Sequence, residues 1–312
     1  MKDKLKGRSF LTLKDFSKEE IRYILDTAHR LKTDRKDGIH HEVFKGLTLA
    51  MIFEKPSTRT RCAFETAFGE EGGHPVFLSV DDIQLGKKET VEDTARVLGR
   101  MFDAIEFRGF EQKTVETLSK ESGVPVFNGL TDLYHPTQII ADLMTVEEQL
   151  GTLEGKTLVY VGDGRNNMAH SLMIGCVKMG VNITIVCPDS LAPLKDVEEY
   201  ALNEAKKTNS AVKITSDLKD GFKGADVIYT DVWVSMGEEE KSKDRISLLK
   251  PYQVNEESLK LTENKDVIFM HCLPAIRGME VTHEVLEGKH SAVWDEAENR
   301  KHSIKAIMYV LI

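Results

Sequence analysis

The sequence predicts an α/β protein of two similar domains, each a parallel sheet flanked by helices, closed by a C-terminal helix. Three observations carry that prediction. Strand-like and helix-like segments alternate along the chain, and alternation of this kind builds parallel sheets covered by helices. The run Gly46-Leu47-Thr48-Leu49-Ala50-Met51-Ile52 is echoed by Gly155-Lys156-Thr157-Leu158-Val159-Tyr160-Val161, each leading from a glycine through a strand to a polar loop and a helix. A length of 312 residues also favours two cores over one.

The first helix is expected from Ser17 to Leu31, where Ser17 and Glu20 make a capping box and Ile21, Ile24, Leu25 and Ala28 form one apolar stripe. A polar connection, Thr33 to His41, follows. Strands are then expected at 47–53, 76–79, 104–107 and 124–127, with helices from about 58, over 90–100 and over 112–121 between them. A helix over 136–149 starts at Pro136, carries Ile139, Ile140, Leu143 and Met144, and ends at Leu150-Gly151. The second set has strands at 158–161, 183–187, 226–230 and 267–270. Helical spacing returns over 296–312 through Ile304, Ile307, Met308 and Leu311. The expected domains are therefore 1–150 and 151–290, with 291–312 as a C-terminal helix packing back on the first domain.

Composition excludes several classes. At 41% hydrophobic and 30% charged residues the composition suits a soluble globular chain of enzyme size. A net charge of −9 argues against a nucleic-acid partner, so any anion site must be a local concentration of positive charge. No apolar run approaches a membrane span, and Met1 to Leu5 lacks the core of a signal peptide. Cys62, Cys176, Cys187 and Cys272 include no C-x-x-C pair and read as free thiols of a reducing cytoplasm. The expected location is cytoplasmic, with no membrane, metal or cofactor.

The richest segment is Glu54-Lys55-Pro56-Ser57-Thr58-Arg59-Thr60-Arg61, at the junction of a strand and a helix. Helix starts carry unpaired N–H groups that attract anions, and guanidinium groups match phosphate fork to fork. The segment therefore reads as a cradle for a phosphate or acyl phosphate, against the plainer reading of a capped helix with two solvated arginines. Ligands of open parallel sheets bind beyond the carboxyl ends of strands. Polar residues follow the other expected strands as well: Arg108-Gly109, His135-Pro136-Thr137-Gln138, Gly162 to Asn167, Asp231 with Ser235-Met236-Gly237, and His271-Cys272-Leu273-Pro274. Singly, each has a structural role open to it: a surface arginine, a turn histidine, a helix cap or a buried thiol. Gly162-Asp163-Gly164 begins like a dinucleotide fingerprint, but Asn167 stands where the third glycine belongs, which disfavours a nicotinamide dehydrogenase.

Taken together, Ser57-Thr58-Arg59-Thr60-Arg61, His135-Pro136-Thr137-Gln138 and His271-Cys272-Leu273-Pro274 resemble the carbamoyltransferases over nearly the whole chain. Asp231, Ser235-Met236-Gly237 and Cys272 resemble the ornithine rather than the aspartate enzymes. The resemblance implies that Ser57, Thr58, Arg59, Thr60, Arg108, His135, Gln138, Cys272, Leu273 and Arg300 hold carbamoyl phosphate, joined by Gln84 from a neighbouring subunit. It implies ornithine contacts from Asn167, Asp231, Ser235 and Met236, and catalytic roles for Arg59, Arg108, His135, Asp231 and Cys272. A homotrimer, or a multiple of trimers, with shared sites follows from the role of Gln84. Other acceptors such as putrescine, and a non-catalytic binding protein, are the alternatives.

Overall fold

Strand and helix alternate as the periodicity expects, and every strand pairing in either sheet is parallel. The computed structural model describes residues 1–81, 83–86, 88–234 and 242–312. They divide into two compact units, one of Met1–Met144 with Glu298–Ile312 and one of Thr145–Ala297. No helix among the described residues is long and apolar enough to cross a membrane.

In the first unit come α1 (Lys2–Leu5), α2 (Lys18–Lys36), β1 (Thr48–Phe53), α3 (Thr58–Gly69), β2 (His74–Ser79), α4 (Val91–Met101), β3 (Ala104–Arg108), α5 (Gln112–Ser122), β4 (Val126–Leu130) and the start of α6 (Pro136–Leu150). Ser17 and Glu20 close the capping box at the start of α2. That helix runs beyond Leu31 and takes in Thr33 to Lys36 from the expected connection, helped by an Arg30–Asp34 pair one turn apart; Gly38, at φ +75°, ends it. Strand β4 starts at Val126, two residues later than expected, because its pairing with β3 begins at Ile105 opposite Val126. Among the described residues the sheet has four strands in the order β2-β1-β3-β4. Ala50, Ile52, Ile105, Phe107, Val115, Leu118 and Val126 form its core. The order reverses between β1 and β3, so their carboxyl ends flank the crevice where ligands of such sheets bind.

In the second unit come the end of α6, β5 (Thr157–Val161), α7 (Asn167–Lys178), β6 (Asn182–Val186), α8 (Lys195–Thr208), β7 (Val212–Thr215), α9 (Leu218–Phe222), β8 (Val227–Thr230), α10 (Ser242–Leu249), α11 (Glu256–Lys260), β9 (Ile268–Met270), α12 (His283–Leu286) and the start of α13 (Val293–Leu311). The described strands run β7-β6-β5-β8-β9, with the switch point beside β5. Strand β7 was not among the expected strands; it is a short edge strand, partly exposed, with too little apolar pattern to stand out. Val159, Val161, Ile228, Phe269, Val281 and Val293 lie in one core cluster.

Within the first unit, the last turns of α13 are clamped to the end of α3. Lys305, 1% exposed, donates to Glu70 and to Glu71 at 2.9 Å each, and Lys301 adds a bond to Glu70 at 3.1 Å. Burial pushes the Glu70 carboxyl up, but Lys305 and Lys301 outweigh it and hold it at about 2. A carboxylate depressed in the folded state stabilises above its unfolded pKa and loses that contribution as pH falls towards its folded one. Lys305→Met is therefore expected to cost about 3 kcal/mol in urea unfolding near neutral pH. The variant should also lose less stability than the parent between 4.5 and about 2. A cost under about 1 kcal/mol would show that the cluster behaves as a solvated surface network.

Candidate active site

Strand β1 and helix α3 meet at Ser57. Its extended backbone (φ −160°, ψ 120°) places the hydroxyl to accept from Thr60 N–H at 3.1 Å, which caps α3. Thr60 is buried behind it, while Arg59 is half-buried and Thr58 exposed. Arg61 is turned to the surface, bonded to Glu65 at 3.0 Å and stacked 3.7 Å from the Phe77 ring centre. The two arginines of the motif thus separate, and Arg59 remains at the cradle.

Two further guanidinium groups arrive from distant chain positions. Arg108 ends β3 and is 6% exposed; its Nη1 donates to Thr60 Oγ1 at 3.3 Å. Arg300, 2% exposed, donates from Nη2 to the same oxygen at 3.2 Å and from Nη1 to Gln138 Oε1 at 2.5 Å. Gln138 in turn donates to Asp142 at 2.8 Å, which fixes its amide orientation. His135, at the entrance to α6, is buried beside them. Burial and then the fields of Arg300, Arg108 and Arg59 hold its imidazole well below the usual histidine range, so it is neutral at neutral pH. A neutral imidazole among guanidinium groups suits hydrogen bonding to an uncharged carbonyl oxygen.

Polar links between strand-end loops steady this corner. Phe110 N–H donates to Glu54 at 3.0 Å, Glu54 N–H donates to the Arg108 carbonyl at 2.8 Å, and buried Lys55 pairs with Asp132 at 2.5 Å. Glu54 and Lys55 belong to the segment singled out from the sequence, but this bracing role is visible only in the structure. Gln84 lies exposed in the loop after β2, and no side-chain bond joins it to this cluster among the described residues.

In the second unit, Asn166 caps α7 by accepting from Met168 N–H at 2.6 Å, and its amide donates to Asp231 at 3.0 Å. Asp231, 7% exposed, also accepts from Val232 N–H at 2.8 Å and from the Cys272 thiol at 3.2 Å. Asn167 begins α7, half-buried. From the sequence, Asn166 could be read as a turn and cap alone; here it also orients the carboxylate. Asp163 accepts from Arg165 N–H at 2.9 Å and pairs with Arg245 at 2.8 Å, which ties α10 to the loop after β5. Ser235, Met236 and Gly237 lie outside the described residues.

Leu273 sits at φ +57°, an unfavourable region for a branched side chain, where its N–H donates to His271 Nδ1 at 2.9 Å. Ligand atoms of Asp231, His271 and Cys272 lie within 4.8 Å of one another, close enough for a divalent cation. Both His271 nitrogens are engaged, however, Nδ1 by Leu273 and Nε2 by Glu280 at 3.2 Å, so a cation would have to displace one of these bonds.

The first unit thus carries a cationic cradle at the switch point of its parallel sheet, of a kind that carbamoyltransferases need for an acyl phosphate, and the second carries an oriented carboxylate and thiol beyond its own sheet. The chain belongs to the aspartate/ornithine carbamoyltransferase family: the model of its carbamoyl-P binding domain matches residues 8–148 and that of its Asp/Orn binding domain residues 154–311. The chain is 64% identical to an ornithine carbamoyltransferase of Caldanaerobacter subterraneus over 304 residues, 97% of each chain. It is 55% identical to a catabolic ornithine carbamoyltransferase of Bacillus licheniformis, covering 97% of this chain and 96% of that one. The solved ornithine carbamoyltransferase of Pyrococcus furiosus superposes with a TM-score of 0.95 at 47% identity, covering 98% of this chain and 97% of that one.

The His135 ring, labelled with nitrogen-15, should show the neutral pattern throughout titration down to and below 6.5. A protonated ring at that pH would mean that burial and the three arginines do not control it.

Proposed function

We propose that this protein transfers the carbamoyl group of carbamoyl phosphate to the δ-amino group of L-ornithine, giving L-citrulline and phosphate in arginine metabolism. The observation that carries this reading is the convergence of Arg108 and Arg300 on Thr60 beside a neutral His135. Kinship with enzymes named ornithine carbamoyltransferase supports the choice of acceptor.

Ser57, Thr58, Arg59, Thr60, Arg108 and Arg300 hold the phosphate of carbamoyl phosphate, and His135 and Gln138 hold its carbamoyl group. The neutral δ-amine attacks the carbamoyl carbon, and negative charge builds on the carbonyl oxygen. Arg59, Thr60 and His135 stabilise that charge, in a site already polarised before reaction. The bond from carbon to the phosphate oxygen then breaks, phosphate leaves with the bonding electrons, and the attacking nitrogen gives up a proton. Holding both substrates in line supplies much of the acceleration, and no covalent enzyme intermediate is needed.

Ornithine is held by Asn167 and Asp231 with Ser235 and Met236, and Cys272 and the Leu273 carbonyl face the reacting groups. A free alkyl amine has a pKa of about 10.4, so the acceptor must bind or become deprotonated. Asp231 and Cys272 orient the amino-acid end so that the deprotonated δ-amine is selected. Assembly as a homotrimer, or a multiple of trimers, would let exposed Gln84 of one subunit reach the neighbouring site.

The test is product formation from carbamoyl phosphate with ornithine, putrescine, acetylornithine and aspartate in parallel. Turnover with ornithine alone is expected; turnover with another amine would overturn the acceptor assignment and keep the phosphate half. Asp231→Asn keeps the size of the side chain, removes its charge and turns one of its two acceptor oxygens into a donor. It should raise KM for ornithine on the order of 100-fold, the loss of one charge-assisted bond, and leave carbamoyl-phosphate binding unchanged. An unchanged KM would remove Asp231 from the ornithine site.

A further inference from the structure

One buried acid at the phosphate half-site has no part in the mechanism above. Glu106 lies two residues before Arg108 on β3, so the two side chains share a face of the sheet. It is wholly buried, and neither carboxyl oxygen has a hydrogen-bond partner among the described residues. The register of β3 against β4 shifts between Phe107 and Arg108 and passes over Gly129. A methyl group on Gly129 would lie 1.9 Å from Glu106 Oε1 and 3.1 Å from the Thr60 methyl carbon. The glycine at this irregularity therefore leaves the room that the carboxyl fills, next to the threonine on which Arg108 and Arg300 converge.

A buried carboxyl without a hydrogen bond is costly, and its charge state depends on the charges around it. Those charges are Arg108 on its own strand and Arg300 from α13, the two that also act, with Arg59 from the start of α3, on His135. From α6 and its entrance come neutral His135 and Asp142, the latter bonded to Gln138. Burial drives the Glu106 carboxyl well above the usual carboxylate range, while Arg108 and Arg300 pull it down. An anion seated on those two arginines weakens that pull and strengthens proton binding at Glu106.

We propose that Glu106 is a proton-linked positioning residue of the carbamoyl-phosphate half-site: its carboxylate takes up a proton from solvent when the phosphate group settles on Arg108 and Arg300, and returns it when phosphate leaves. The proposal rests on the phosphate-site reading given above. Linkage is reciprocal, so ionised Glu106 opposes the bound anion as much as the anion opposes ionisation. Affinity for the anion therefore falls as pH rises through the Glu106 titration of the empty site, and above it the same repulsion assists phosphate release.

The full-length protein would be titrated calorimetrically with phosphonoacetamide, a carbamoyl-phosphate analogue that cannot transfer its group. Buffers of different ionisation enthalpy, from about pH 7 to about pH 9, lie above the range in which neutral His135 titrates. The wild type should take up protons on binding, and Glu106→Gln should take up fewer. Wild-type affinity relative to the variant should fall by up to about tenfold per pH unit once Glu106 ionises in the empty site. Equal proton uptake by the two proteins would overturn the proposal. If the variant does not fold, absence of proton uptake by the wild type across this range overturns it alone. Failure of either protein to bind the analogue would instead refute the phosphate-site reading and the proposal with it.

Discussion

Two guanidinium groups share one hydroxyl oxygen, Thr60 Oγ1, and the first unit is organised around keeping them there. Arg108 and Arg300 are almost fully buried and carry like charge, so their approach is unfavourable until an anion joins them. The protein meets this cost with fixed attachments. Arg108 is held by its place at the end of a central strand, with its carbonyl bonded to Glu54 N–H. Arg300 is held by Gln138, itself oriented by Asp142. The helix that carries Arg300 is clamped one to two turns further on by Lys305 between Glu70 and Glu71. Remote ion pairs thus have a functional consequence, because loosening α13 would loosen the cation it delivers.

Electrostatics in the second unit run the other way. Its centre is the Asp231 carboxylate, oriented by the Asn166 amide, the Val232 N–H and the Cys272 thiol. These donors fix the direction of the carboxylate, a group suited to an ammonium or amine. The same loop after β5 supplies Asp163, whose pairing with Arg245 anchors α10. One unit therefore presents positive charge for an acyl phosphate and the other negative charge for an amino acid. That division matches two substrates of opposite local charge and gives the proposed reaction its chemical logic.

Much of this was legible from local pattern. Strand-to-helix alternation, the cap at Ser57 and the polar residues after β1, β3, β5 and β8 all follow from short-range rules of periodicity and helix capping. Arg108, His135, Asn167, Asp231 and Cys272 could be singled out because they stand at the ends of apolar strands or in the connections that follow them. Other features carried little local signal. Strand β7 is too short and too exposed to show a clear apolar pattern, and the extension of α2 runs through residues whose charges suit a loop or a helix equally. Glu106 is hidden in a strand that reads as apolar, since nothing in its neighbours reveals that Gly129 makes room for it.

What the sequence determined by itself is the alternation of elements, and hence the parallel sheets and the strand ends where ligand-binding residues gather. Those features depend on residues a few positions apart, whose spacing is set by helical and strand geometry. Tertiary structure alone decided which charges meet. Thr60 and Arg300 are 240 positions apart, and only the packing of α13 brings them within 3.2 Å. His135 and Glu106 are likewise buried within reach of the arginines, and burial sets the charge on both: a neutral imidazole and a carboxyl whose proton depends on its neighbours. Desolvation and long-range Coulomb fields are properties of three-dimensional placement, so no local reading of the chain contains them.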